Sequence, residues 1–144
     1  MSRKRSRARH HAVQAVYQWQ LTGHDVGEIV TQFLAAQDPK SFEVEYFRDL
    51  LRGVAMNLSR LDGWIAPHID RPIEQLDLVE RAILRLGAYE LGFHPEVPYR
   101  VAINEAVELA KTFGAEEGHK YVNGVLDKLA RELRSAEVGA ARGR

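Results

Sequence analysis

The sequence predicts an all-α protein, a compact bundle of about six or seven helices arranged as two helical subdomains. Three observations carry that prediction. Apolar residues recur at i, i+3, i+4 and i+7 through most of the chain, no stretch alternates with period two, and Gly, Pro, Asp and Ser punctuate the periodic stretches at helix length. With 144 residues, 45% of them hydrophobic, the chain can bury a proper core without cross-links.

Taken in order, the first helix is expected from near Ser6 or Arg7 to Leu21. Val13, Val16, Tyr17, Gln20 and Leu21 would face inward, and Gly23 would end it. Asp25, with Glu28 three residues on, reads as a capped start for the face Val26, Ile29, Val30, Phe33 and Leu34. Asp38-Pro39 stops that helix. Ser41 is expected to cap the next, whose seam runs through Phe47, Leu50, Leu51, Val54, Leu58, Leu61 and Ile65 to a break before Pro67.

Asp77 with Glu80 opens a helix bearing Val79, Ala82, Ile83, Leu86 and Phe93. Pro95 and Pro98 bracket a turn, and Ile103, Val107, Ala110 and Phe113 line a helix closed by Gly114. The last helix is expected from around Glu116 and buries Val122, Val125, Leu126, Leu129 and Leu133. Residues 10–66 and 73–134 are the two expected subdomains, with 1–9 as a basic arm and 135–144 as a frayed tail.

The chain has no cysteine, which excludes disulfides, thiolate metal sites and cysteine nucleophiles and suits a cytoplasmic location. No apolar run approaches the ~20 residues of a membrane span, and residues 1–20 lack a secretory core, so no membrane association is expected. The net charge of zero hides an asymmetry. Five of the 20 basic residues, Arg3, Lys4, Arg5, Arg7 and Arg9, precede the first acid, Asp25; the remaining chain carries 15 basic against 20 acidic side chains. A cationic arm on a mildly acidic body suits a polyanionic partner. A merely solvated terminus has the same composition.

Arginine pairs with phosphates and stacks on bases, so Arg3, Lys4, Arg5, Arg7 and Arg9, with Gln14 beyond them, form the first candidate RNA-binding set. The second is Glu117, Gly118, His119 and Lys120, at an expected helix start followed by Tyr121. It fails as a phosphate-binding loop of nucleotide hydrolases, because His119 separates Gly118 from Lys120 and Tyr121 stands where a hydroxyl would hold magnesium. What is left suits one phosphate and one stacked base. Acids favouring a helix dipole, with Tyr121 turned inward, account for the same residues.

His10 and His11 are adjacent and no pair has metal-ligand spacing with a third ligand, so no metal and no cofactor is expected. Glu90 lies on an apolar face. Either it is buried against a partner such as Arg100 or a backbone amide, or it borders the core. No nucleophile–base pair or paired carboxylates suggest catalysis.

Three stretches together resemble the NusB family: RARHHAVQAVYQWQ at 7–20, ILRLGAYEL at 83–91, and VPYRVAINEAVELAK at 97–111 continuing through Phe113-Gly114 to YVNGVLD at 121–127. YFRDLL at 46–51 extends the similarity over nearly the whole chain. The resemblance implies a non-enzymatic antitermination factor. It would bind the single-stranded boxA element of ribosomal RNA operon transcripts together with NusE, a small-subunit ribosomal protein, and help RNA polymerase read through terminators. Carried over by position, the RNA surface falls on the arginine-rich start and on 117–120, and the NusE surface near Tyr17 and Glu80. Glu117, an acid at the edge of an anion site, would weaken RNA binding.

The same module begins some ribosomal RNA cytosine methyltransferases, whose Rossmann-like domain and cysteine nucleophile have no counterpart in these 144 residues. A protein-interaction bundle with an incidental arm is the other reading; its binding would survive loss of residues 1–9. The arm precedes Val13, so its removal is expected to leave the core closed. The sequence is compatible with both a monomer and a homodimer.

Overall fold

The computed structural model describes residues 3–114 and 117–142. Among them are eight α-helices and no strand: α1 (Arg3–Thr22), α2 (Val26–Ala36), α3 (Val44–Met56), α4 (Leu58–Ile65), α5 (Leu78–Phe93), α6 (Tyr99–Phe113), α7 (Gly118–Leu133) and α8 (Ser135–Arg142). Two 3-10 turns, Ala66–His68 and Ile73–Gln75, connect α4 to α5.

The predicted punctuation holds at several ends. Gly23 adopts φ 70°, a left-handed conformation that closes α1 through its amide to the Trp19 carbonyl. The Asp25 carboxylate accepts from the Glu28 amide, and that of Asp77 accepts from the amides of Val79 and Glu80, satisfying donors a helix start leaves unpaired. Ser41 does not cap α3. Its hydroxyl donates to the Asp38 carbonyl inside the turn, and the cap position falls to Glu43. The single long seam expected from Phe47 to Ile65 is two helices broken at Asn57, whose side-chain amide donates to the Gly53 carbonyl. The expected start at Glu116 lies outside the described residues; α7 is helical from Gly118.

The described residues at both ends, from Arg3 and up to Arg142, are helical where composition suggests an unstructured arm and a frayed tail. The basic arm is the first part of α1, helical from Arg3, and the Glu43 amide bonds the Lys4 carbonyl. The inward stripe of α1 also differs from expectation. Ala8, Arg9, Ala12, Val13, Ala15 and Val16 are buried, whereas Tyr17 and Gln20 are half-buried and Leu21 is 60% exposed. Three alanines on the buried face let α1 approach its neighbours closely. At the other end, 135–142 form α8 rather than a frayed tail: Val138 is buried, and the Glu137 carboxylate accepts from the Tyr99 amide at the start of α6.

α5 organises the molecule. Its residues Ala82 to Leu91 are all buried, as expected of a helix packed on every side, here by α1, α3, α4, α6 and α7. One hydrophobic cluster runs through both halves of the chain. α1 lies against α2, α3, α5 and α6, so its exposed face is a strip across the join between the halves.

Candidate nucleic-acid interface

Helical geometry sorts the basic residues of α1 into those held by the fold and those presented to solvent. Arg9 is 2% exposed. Its guanidinium donates to both oxygens of Glu90 on α5 at 2.8 Å and to Glu105 on α6 at 2.9 Å; the Tyr46 hydroxyl donates to Glu90 as well. Burial opposes the Arg9 charge, but Glu90 outweighs it and holds the guanidinium protonated. Arg9 therefore departs from expectation: it is a buried tie between halves, not a surface cation. Glu90 is buried against Arg9 and Tyr46, not against Arg100, whose Nε donates to the Tyr99 hydroxyl.

Arg5 is half-buried and pairs with both carboxylate oxygens of Glu43, its guanidinium 4.2 Å from the Tyr46 ring centroid. That leaves Arg3, Lys4, Arg7 and Gln14 as the exposed members of the predicted set on α1. Arg3, Arg7 and Gln14 are spaced by four and seven residues, so they share one face, with His10 between them. Arg7 also donates to the Ser41 carbonyl at 3.2 Å.

The second predicted set lies at the first turn of α7. Lys120 and Glu117 are each 70% exposed and pair with each other at 3.0 Å, so the acid offsets the base it precedes. His119 is half-buried and Gly118 is buried. A Cβ on Gly118 would lie 3.0 Å from the Glu80 carboxylate oxygen, so the Glu80 side chain packs directly on the first turn of α7 and would have to shift by a few tenths of an ångström for any other residue. Burial, then the neighbouring charge of Asp77, pushes the Glu80 carboxyl up. The Tyr121 ring packs against the core while its hydroxyl donates to Asp70 at 3.0 Å, and Asp70 is chelated by Arg71, which with Tyr121 holds its carboxyl down at about 2.

One ring contact that sequence reasoning missed ties the helix of the first RNA-binding candidate to the end of α6, the helix preceding the second. The His10 ring lies 4.6 Å from that of Phe113, the last residue of α6 and four residues before Glu117. Tyr17 and Glu80 lie at a second junction. The Gln20 side chain, one turn after Tyr17, donates to the Leu78 carbonyl two residues before Glu80. No group of three metal-ligating side chains occurs among the described residues.

A helical bundle with an exposed cationic strip on its first helix is built as a binding module. The NusB family model matches residues 6–131. The transcription antitermination protein NusB of Pseudoalteromonas translucida is 55% identical over 130 residues, covering 90% of this chain and 96% of that protein. That of Alcanivorax borkumensis is 56% identical over 140 residues, covering 97% and 93%. Among solved structures, T. maritima NusB superposes with a TM-score of 0.81 at 36% identity, covering 92% of this chain and 94% of that one. A crystal structure of the antitermination factors NusB and NusE in complex with dsRNA gives 0.82 at 30%, covering 92% and 99%. The chain belongs to the NusB family: it is a transcription antitermination factor, not an enzyme.

Proposed function

We propose that this chain binds the boxA element of ribosomal RNA operon transcripts together with NusE, in the cytoplasm, as part of the antitermination complex that carries RNA polymerase past terminators. The observation that carries the RNA half is the exposed strip Arg3, Arg7 and Gln14 on α1, linked through His10 and Phe113 to the end of α6, the helix preceding α7. Phosphates bind such a strip by charge, and bases bind by stacking and side-chain hydrogen bonds. The solved NusB–NusE–dsRNA complex supports both partners by kinship. On this chain the NusE surface is the junction of Tyr17 and Glu80, where exposed Leu21 adds an apolar contact.

Calorimetric titration tests the proposal: single-stranded boxA RNA, the same element as a duplex, and a scrambled strand, each with and without NusE. Single-stranded boxA should bind more tightly than the scrambled strand, and NusE should tighten it further. Equal affinity for boxA and scrambled RNA in the presence of NusE would overturn the sequence-specific role.

A further inference from the structure

Beside the α1 strip lies a cleft lined by Ser6, Arg7, His10 and His11 of α1 with Gln37 and Ser41 of the turn between α2 and α3. Its chemistry is distinct from that of the neighbouring cleft around Arg5 and Arg9, where the carboxylates of Glu43 and Glu96 line the wall with the two arginines. Among the described residues, the six that line the histidine cleft include no carboxylate. They offer a guanidinium, two imidazoles, an amide and hydroxyls, a set that suits an anionic group and the polar edge of a base. Adjacent positions on a helix ordinarily diverge, yet the two rings stay 5.7 Å apart and border one cleft. His10 is held by Phe113 of α6, and His11 by Phe42 of the turn at 4.7 Å and by Phe33 of α2. The Nδ1 atom of His11 is buried with no hydrogen-bond partner among the described residues.

We propose that this cleft is a nucleotide subsite, in which Arg7 holds one RNA phosphodiester and the His10 and His11 imidazoles hold its neighbouring base and phosphate oxygens. The inference rests on the RNA-binding role proposed above and adds a place and a chemistry to it. It also has a consequence for pH. Burial holds both imidazoles below their ordinary pKa; for His11 the interaction with Gln14 opposes this, and the neighbouring His10 and Arg7 charges reinforce it. The other groups facing the rings are Gln14 on α1, Phe33, Gln37, Ser41, Phe42 and Phe113, with Glu105 bonding Ser6 at the rim. A phosphate entering this cleft favours the protonated imidazole, so RNA binding takes up protons and strengthens as pH falls.

The test is titration of the full chain and of Arg7→Gln, His10→Gln, His11→Gln and the double histidine variant with single-stranded boxA RNA. It is run at constant salt at pH values of about 6, 7 and 8, with thermal melts to check that each variant is folded. Wild type should bind roughly three- to tenfold more tightly at the acid end, the effect of taking up about a quarter to half a proton on average across that range. The double histidine variant should lose most of that dependence, and Arg7→Gln, at an exposed position, should bind more weakly at every pH. His119 is another imidazole near the strand, so the reading is the dependence lost with His10 and His11. A double histidine variant with the wild-type profile, or a flat wild-type profile with RNA still bound, would overturn the subsite and leave the RNA-binding role standing. Absence of RNA binding at every pH would overturn both.

Discussion

Arg9 and Glu90 show how one residue's role can be half-legible. That Glu90 occupies an apolar helix face is visible in the sequence, and a buried carboxylate needs a partner. The partner lies 81 positions away on another helix, which no local pattern reveals. Arg9 has the opposite history: a run of bases reads as a charged surface, but one member of the run falls on the buried stripe with Ala8 and Ala12. Removing one partner of a buried pair leaves the other charge stranded, so Glu90→Ala should lower stability by about 3–5 kcal/mol, measured by urea unfolding. A loss below about 1 kcal/mol would show that Arg9 is satisfied without Glu90. At the exposed start of α7 the effects are smaller. Glu117→Gln releases Lys120 from its pair and should raise RNA affinity up to roughly fivefold, the scale of ~1 kcal/mol for a surface charge. A several-fold weakening would mean that the carboxylate itself contacts RNA.

Helix identity was largely readable, because capping residues and the 3.6-residue period act locally; helix ends set by distant contacts were not. The first described turns of α1 are helical and tied to Glu43 and Ser41 across the α2–α3 turn, and α8 is held where Glu137 caps α6 and Arg134 bonds the carbonyls of Glu90, Leu91 and His94. This changes the expected effect of removing residues 1–9. That deletion takes away buried Ala8 and Arg9 and leaves Glu90 unpaired by a guanidinium, so the melting temperature should fall by at least about 5 °C rather than stay put. An unchanged melting temperature would restore the picture of a detachable arm.

The turn after α5 makes a second prediction at this scale. His94 bonds Asp49 of α3 and Glu96 of the turn. Burial opposes its protonation, but the bonds and charges of Glu96 and Asp49 outweigh it, so His94 titrates above its ordinary value. A histidine raised on folding contributes fully below its unfolded pKa and loses that contribution as pH rises through the folded one. Thermal stability should therefore decline as pH rises from below the ordinary histidine value through the raised folded one, and His94→Gln should flatten that decline. An equally steep decline in the variant would assign it to another group.

For the molecule as a whole, the division of labour between α1 and α5 separates two surfaces that share a boundary. The Tyr17–Glu80 junction and the first turn of α7 meet where the Glu80 carboxylate abuts Gly118. Glu80→Lys should weaken NusE binding by calorimetry while leaving RNA affinity intact or higher, since it adds positive charge against Gly118 at the first turn of α7. Unchanged NusE affinity would remove Glu80 from that surface. The two candidate surfaces could be named from sequence one residue at a time; their adjacency depends on tertiary packing. The same packing sorts the five-residue cationic run, leaving Arg3, Lys4 and Arg7 exposed while Arg5 and Arg9 serve the fold.

That sorting is tested most directly by the salt dependence of boxA RNA binding in wild type and in the triple variant Arg3→Gln, Lys4→Gln, Arg7→Gln. Each neutralised phosphate on a single strand contributes about −0.7 to the slope of log affinity against log salt, so three engaged cations should make the variant's slope shallower by about 2, with thermal stability little changed. An unchanged slope in a folded variant would contradict the assignment of the α1 face to RNA.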